Sequence, residues 1–378
     1  MKSICLVSGS SPEFLGGISL YQRNLIEYSK KNNLDFRFTW IYPGKENKEF
    51  ILNEIRCIEL KSIKYPFLEE FDFARKVRKI ISKKNFDIIN THANWGYFLK
   101  NYNKRENQKI IHTCHGVSYQ YFKVQFSRFG FFRYLLYTLL PLIYLLEKPP
   151  MKKADKIICV AEKVKEDLEK IYWKRKNLKV IRTGVDIKNF KSISKGKSRK
   201  ELNLDKNKIY GLYSGRGGYF NKGLDRAVNL GKELYILNKN FRLIVIGSDK
   251  IKCKEYLDEP FIIYRGIIDR NILNKYYSAS DFFFSLSRYE GGAPTLAVGE
   301  AMASECLVVC SKDSKPEIIE NDANGLIIEN FDKNDANKII RVLNDKKNKS
   351  EIIKNSIKTI KELSLEKWGE KYFEILMD

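Results

Sequence analysis

The chain has 378 residues, 43% of them apolar, and a net charge of +23 from 69 basic and 46 acidic residues. That length and apolar content provide two ordinary domains with packed cores and exclude a disordered or low-complexity chain. The surplus is uneven: residues 1–185 carry 35 Lys and Arg against 18 Asp and Glu, or +17, and residues 186–378 carry 34 against 28, or +6. A basic first half points to an anionic partner, nucleic acid or an anionic membrane, although a generally Lys-, Ile- and Asn-rich proteome gives the same bias.

The opening "MKSICLVSGSS" has too short an apolar run for a signal peptide and reads as a first buried strand. Gly16 and Gly17 follow it, then a helix-like stretch over Ile18–Lys31. The strand-like runs "FRFTWIY", "IRCIEL", "DIINTH" and "KIIHTCHG" come next. Tyr121–Lys148 carries nine aromatic residues, but its uncharged run, Tyr134–Leu146, is 13 residues long. A membrane span needs about 20, and Pro141 interrupts any longer helix. Upstream, Lys123, Arg128 and Arg133 alternate with Phe126, Phe129, Phe131 and Phe132, which suits a helix lying at a lipid headgroup boundary. A buried helix accounts for Tyr134–Leu146 but not for the Phe/Arg stretch, so Arg128, Phe131, Phe132 and Arg133 are the expected membrane contacts.

"KIICVA", a helix over Glu162–Tyr172 and "LKVIRTG" complete the first half, and the polar, basic stretch Gly184–Lys208 marks a break. "IYGLYSG", "RLIVIGS", "FIIYRG", "DFFFSLS", "LVVCS" and "GLIIE" repeat the strand–helix alternation in the second half. Short buried strands alternating with helices indicate parallel sheets covered on both faces, hence two Rossmann-like, doubly wound domains. The expected boundaries are 1–185, 186–362 and a last amphipathic helix, 363–378, packing back on the first domain. Seven cysteines, none in a C-x-x-C pair, sit mostly inside apolar runs and suit a reducing cytosolic compartment.

In such sheets ligands sit beyond the carboxyl ends of the strands. There, "YSGRGGYFNKGLDRAV" places Arg216 after a strand and Lys222 at the start of a helix, a fork and a mobile point charge that suit a diphosphate. An ordinary βα turn with two solvated cations has the same pattern, but G-x-G-x-x-G is missing, which disfavours a nicotinamide site. "SRYEGGAPTLAVGEAMA", Ser287–Ala303, follows another buried strand. Its glycines let a ligand approach the backbone, and the amides of Thr295 and Leu296 at a helix start face an anion. Glu290 and Glu300 only accept hydrogen bonds when ionised and suit the paired hydroxyls of a sugar or ribose. The three histidines, His92, His112 and His115, have no accompanying carboxylate pair, and no metal site is expected of them.

These motifs together resemble glycosyltransferase family 4, whose fold, GT-B, has two Rossmann-like domains facing a cleft. "GGISLYQRNL" resembles the family's glycine loop; "FDIINTHANW" and "IIHTCHG" resemble its histidine-bearing strand ends. "VIRTGVDIKNF" resembles the hinge, with Thr183 where asparagine is usual, "SGRGGYFNKG" the diphosphate-binding Arg and Lys, "SRYEGG" with "GEAMA" the two-glutamate signature, and "ENDANGLII" the turn that follows it. Glu290 and Glu300 enclose nine residues, two more than the family pattern, and Glu290 is taken as the functional first glutamate across a longer loop.

The resemblance implies sugar transfer from a nucleotide diphosphate sugar to a hydroxyl of a glycan or lipid-linked acceptor, with retention of configuration, in cell-surface polysaccharide, lipopolysaccharide or glycolipid synthesis. Glu300 then holds the ribose. Arg216, Lys222 and the amides of Thr295 and Leu296 neutralise the diphosphate, while Gly215, Gly292 and Ala293 admit the donor to the backbone. Glu290 orients the sugar, His115 lies beside it, His92 lines the acceptor side, and Gly16 and Gly17 let the first domain close over the phosphates. No cofactor or divalent metal is expected, because the cations are built in. The expected location is cytoplasmic, peripheral on the inner face of the membrane. A nucleotide-sugar epimerase of the same fold and a basic nucleic-acid-binding protein are the alternatives.

Overall fold

A computed structural model describes residues 1–378 except 15, 66, 175, 216–218 and 248–252. The chain divides into two compact units, Met1–Gly184 with Leu365–Asp378, and Val185–Ser364.

The first unit is built on an eight-stranded sheet: β1 (Lys2–Val7), β2 (Phe36–Gly44), β3 (Lys48–Leu52), β4 (Ile55–Lys61), β5 (Ile88–His92), β6 (Lys109–Cys114), β7 (Lys156–Cys159) and β8 (Leu178–Val180). Their order is β3-β4-β2-β1-β5-β6-β7-β8, parallel except for β3 against β4. β3 is an edge strand not among those expected from the sequence. Leu52 pairs with Ile55 across Asn53 and Glu54, both left-handed (φ 46° and 67°), the turn that matches the twist of a hairpin. β5 is buried along its whole length, as a central parallel strand covered on both faces must be. The sheet's winding reverses between β1 and β5.

Between β6 and β7 the aromatic segment forms short pieces rather than one helix: Ser118–Ser127, a 3-10 turn Gly130–Phe132, Arg133–Tyr137 and Leu140–Lys153. Pro141 stands in the first turn of the last, where its missing N–H costs nothing. No single helix among the described residues is long and apolar enough to cross a membrane; the bent pair Gly130–Tyr137 and Leu140–Lys153 passes by length and composition, with a 48° bend. The helix Leu365–Met377 completes this unit, burying Trp368, Tyr372 and Phe373.

The second unit carries β9 (Ile209–Ser214), β10 (Phe241–Ile246), β11 (Ile262–Gly266), β12 (Phe282–Ser285), β13 (Leu307–Ser311) and β14 (Leu326–Ile328) in the all-parallel order β11-β10-β9-β12-β13-β14. One buried cluster, with Leu230, Phe241 and Phe282, and another, with Tyr277, Phe283 and Met302, pack the unit. The winding reverses between β9 and β12, which leaves a crevice beyond their carboxyl ends.

Candidate active site

At the end of β9, Gly215 is followed by Arg216, which lies outside the described residues. The short helix Tyr219–Lys222 then ends on Gly223, left-handed at φ 72°. A Cβ there would stand 2.1 Å from the carbonyl oxygen of Leu286, so only glycine lets this turn approach the end of β12 so closely. That approach brings Lys222 Nζ to 2.5 Å from Glu290 Oε1. Arg288, which no sequence motif marks, ties the two loops together. It makes a bidentate pair with Asp225 (2.9 and 2.5 Å), donates to the carbonyl of Phe220 and covers that ring at 3.9 Å. Such a fork is stiffer than a single lysine contact.

The longer loop has a compact form. Gly291 and Gly292 are both left-handed (φ 61° and 71°), and Ala293 N–H donates back to Glu290 C=O at 3.2 Å. Glycine adopts both of these left-handed conformations without strain, which makes the turn a tight one. Thr295 is the N-cap of the helix Leu296–Ala303, its hydroxyl accepting from Val298 N–H at 3.4 Å, so Pro294 stands just outside the helix rather than in its first turn. The first-turn amides of Leu296 and its successor point back along the axis toward the strand ends, with the positive end of the helix dipole.

Glu300 lies one turn in and is 2% exposed, which excludes a solvent-facing residue. Arg270 Nη2 donates to its Oε1 at 2.5 Å, and the Tyr277 hydroxyl to its Oε2 at 3.3 Å. Burial pushes the carboxyl above its usual range, and Arg270 pulls in the opposite direction. A carboxylate has about four acceptor positions, so two are already filled by this protein. Arg270 begins the helix Arg270–Ala279 and lies over the Phe190 ring at 4.7 Å. Nothing local in "IIDRNIL" marks it as Glu300's partner, 30 residues on.

In the first unit, Gly16 caps the helix Gly17–Lys31, and a Cβ on it would meet the Phe14 ring at 2.4 Å; one on Gly17 meets open space. At the neighbouring strand ends, the histidines form a chain. His92 is fully buried, with Nδ1 2.9 Å from His115 Nε2 and Nε2 2.9 Å from Asn90 Oδ1. Both of its ring nitrogens are engaged within the protein, so His92, expected from sequence on the acceptor side, has no ring nitrogen left for a ligand. His115 is half-buried, nearly coplanar with the His92 ring it hydrogen-bonds (centroids 5.2 Å, planes at 21°), and met edge-on by Tyr21 at 4.8 Å. His112 turns elsewhere, to Thr91 Oγ1 at 2.8 Å. Burial lowers all three: His112 to about 3, His115 to about 4, and His92 well below the usual value with the other two imidazoles adding to the effect. All three rings are therefore neutral at pH 7. Among the described residues, no three His, Cys, Asp or Glu gather as metal ligands.

Arg128, Phe131, Phe132 and Arg133 lie in a segment with no buried residue, Phe131 84% and Phe132 71% exposed. Arg128 covers Phe129 and Arg133 covers Tyr134, at 4.5 and 4.9 Å.

Residues 15–189 match the family model described as Glycosyltransferase Family 4, and residues 194–359 that of Glycosyl transferases group 1. The chain belongs to glycosyltransferase family 4. The epimerase and nucleic-acid readings give way to this assignment. The transferase is 26% identical to a protein of Methanocaldococcus jannaschii, named uncharacterized glycosyltransferase MJ1069, over 74% of each chain. Its fold is similar to that of sucrose-phosphate synthase from Thermosynechococcus elongatus (TM-score 0.82, 20% identity, covering 100% and 98% of the two chains). WaaG, a glycosyltransferase involved in lipopolysaccharide biosynthesis, is similar at 0.76 and 15%, over 99% of both. Anabaena HepE, in complex with UDP and glucose, gives 0.72 and 16%, over 100% of both.

Proposed function

We propose that this transferase moves a sugar from a nucleotide diphosphate sugar to a hydroxyl of a glycan or lipid-linked acceptor, with retention of configuration and without a divalent metal. The observation that carries the reading is the Lys222–Glu290 pair at the β9/β12 crevice, in the loop that leads into the helix whose first turns carry the buried Glu300. A cation and a carboxylate already in contact form a minimal receptor for a ligand that is anionic at one end and hydroxylated at the other.

The donor's diphosphate takes the place of Glu290 at Lys222, joined by Arg216 and the amides of Thr295 and Leu296. The released Glu290 accepts from the sugar's hydroxyls, and Glu300 accepts from the ribose with the positions that Arg270 and Tyr277 leave. Gly215, Gly292 and Ala293 admit the donor to the backbone. As the bond from the anomeric carbon to the diphosphate oxygen breaks, charge grows where these fixed donors point, which lowers the barrier. The acceptor oxygen bonds to the same face, and its proton passes to the departing phosphate oxygen. In the first unit, Gly16 and Gly17 free the backbone at a helix N-terminus for the phosphates, and His115 is the group for the transferred sugar. The HepE complex with UDP supports a uridine nucleotide as the first donor to try.

The exposed Phe131 and Phe132, flanked by Arg128 and Arg133, support attachment to an anionic membrane surface and hence a lipid-linked acceptor at the cytoplasmic face. An apolar cavity of about 650 Å³, lined by Phe71, Tyr97, Leu142, Leu145 and Lys148 among others, lies along the next helix and adds to that reading. The test is a thermal-shift panel of nucleoside diphosphates. One base should raise the melting temperature by several degrees, and its sugar nucleotides should then be hydrolysed or transferred. No stabilisation by any nucleotide overturns the reading.

A further inference from the structure

We infer that His115 is held as a single neutral tautomer, proton on Nε2 and lone pair on Nδ1, by a one-way hydrogen-bond relay through Asn90 and His92. The relay has no free choice in it. The carbonyl of Ile111 can only accept, and it lies 3.3 Å from one end of the Asn90 amide, so that end is the NH2 group. The same NH2 donates to Thr113 Oγ1 at 3.2 Å. Thr113 then donates to the Tyr372 hydroxyl (2.7 Å), which donates to Asn90 Oδ1 (3.1 Å). The two hydroxyls can turn to suit either sense of this ring, so the Ile111 carbonyl decides which way Asn90 faces and the ring follows.

Asn90 Oδ1 therefore faces His92, and an amide oxygen can only accept. His92 must carry its proton on Nε2, which leaves Nδ1 as a lone pair. That lone pair lies 2.9 Å from His115 Nε2, which must then be the donor. The remaining ring nitrogen of His115, Nδ1, is an acceptor and nothing else. The low proton affinity of both rings keeps the chain neutral, so no imidazolium scrambles the order.

The inference rests on the proposed function for its consequence: His115 meets a sugar hydroxyl as acceptor, so the hydroxyl donates. Asn90, His92 and Tyr372 are positioning residues, acting on the sugar only through His115. Tyr372 comes from the last helix, 282 residues beyond Asn90.

The chain has three histidines, which makes its imidazole nitrogens resolvable. In protein labelled with ¹⁵N-histidine, long-range ¹H–¹⁵N spectra should show His92 and His115 each as one species, protonated on Nε2. A coupling across the hydrogen bond should link His115 Nε2–H to His92 Nδ1. Asn90→Leu removes the acceptor that orders the chain, and His115 should become a mixture of tautomers. His92→Gln keeps a donor toward Asn90 and an acceptor toward His115, so the single tautomer should persist. With an active donor pair, Asn90→Leu should lose about tenfold in kcat/KM, the worth of one hydrogen bond, and His92→Gln should lose less than that. A wild-type His115 protonated on Nδ1, or a tautomer mixture in the wild type, overturns the relay, and so does an Asn90→Leu spectrum unchanged at His115. If Asn90→Leu does not fold, the wild-type coupling and His92→Gln decide. The expected spectra with no sugar transfer from any donor leave the relay standing and remove the transferase mechanism instead.

Discussion

Acidification from pH 8 to pH 5 should destabilise the first unit through its histidines. Each imidazole titrates near 6.5 in the unfolded chain, whereas in the fold burial holds His112 at about 3 and His115 at about 4. Between those values the unfolded chain takes up the proton and the folded unit does not. Stability is thus complete above about pH 7 and falls as the pH drops below 6.5. At pH 5 the gap is about 1.5 pH units for each residue, or about 2 kcal/mol, and about 4 kcal/mol for the two together. His92 acts in the same direction, while Glu70 and Glu147, whose carboxyls burial raises, act in the opposite one. The histidine contribution is isolated by His112→Asn, which keeps an acceptor for Thr91 and removes the titration. All four tryptophans (Trp40, Trp95, Trp173 and Trp368) lie in the first unit, so intrinsic fluorescence during urea unfolding reads that unit alone. The variant should lose about 2 kcal/mol less than the wild type between pH 8 and pH 5. Equal pH dependence in the two proteins, within about 0.5 kcal/mol, would refute the reasoning.

Lys222→Ala and Arg216→Ala should each lower turnover by roughly two to three powers of ten in a sugar-transfer assay, as losing a preorganised charge donor does. Arg270→Met should leave the buried Glu300 without its cation and cost the second unit about 3 kcal/mol, read as faster hydrogen exchange in β12 and β13, with part of the loss recovered on adding Glu300→Gln. Turnover should survive excess chelator; full inhibition reversed by magnesium or manganese would contradict the built-in cations. The protein should sediment with anionic liposomes, less so at high salt, and Phe131→Glu with Phe132→Glu should abolish this while circular dichroism stays unchanged.

Much of this was legible because the fold writes itself in short apolar runs. "DIINTH" and "DFFFSLS" end where β5 and β12 end or nearly so, and the residues expected of the site follow such ends. The Lys222–Glu290 contact was implicit in two loops read separately; what joins them, Gly223 and Arg288, carries no marker of its own. β3 was missed because "KEFIL" is a short edge strand, formed through a hairpin whose residues, Asn53 and Glu54, lack the glycine that usually announces it. Arg270 and Tyr372 were missed because only the folded chain places them beside Glu300 and Asn90. One hint was available: three successive polar residues, Asn90, Thr91 and His92, close an otherwise apolar strand, and buried polar groups require partners. The Phe/Arg spacing suits one helix lying in a plane, but Gly130, left-handed at φ 54°, breaks it into pieces.

The helix Leu365–Met377 has a consequence for synthesis on the ribosome. The second unit is one continuous stretch, Val185–Ser364, and every residue it needs has been made before that helix emerges. The first unit is discontinuous. A nascent chain that has passed Gly184 still lacks Trp368, Tyr372 and Phe373, and so lacks the partner of Tyr21 and the hydroxyl that closes the ring on Asn90. The half of the protein that is translated first therefore cannot complete its packing until the helix Leu365–Met377 has been made and has docked.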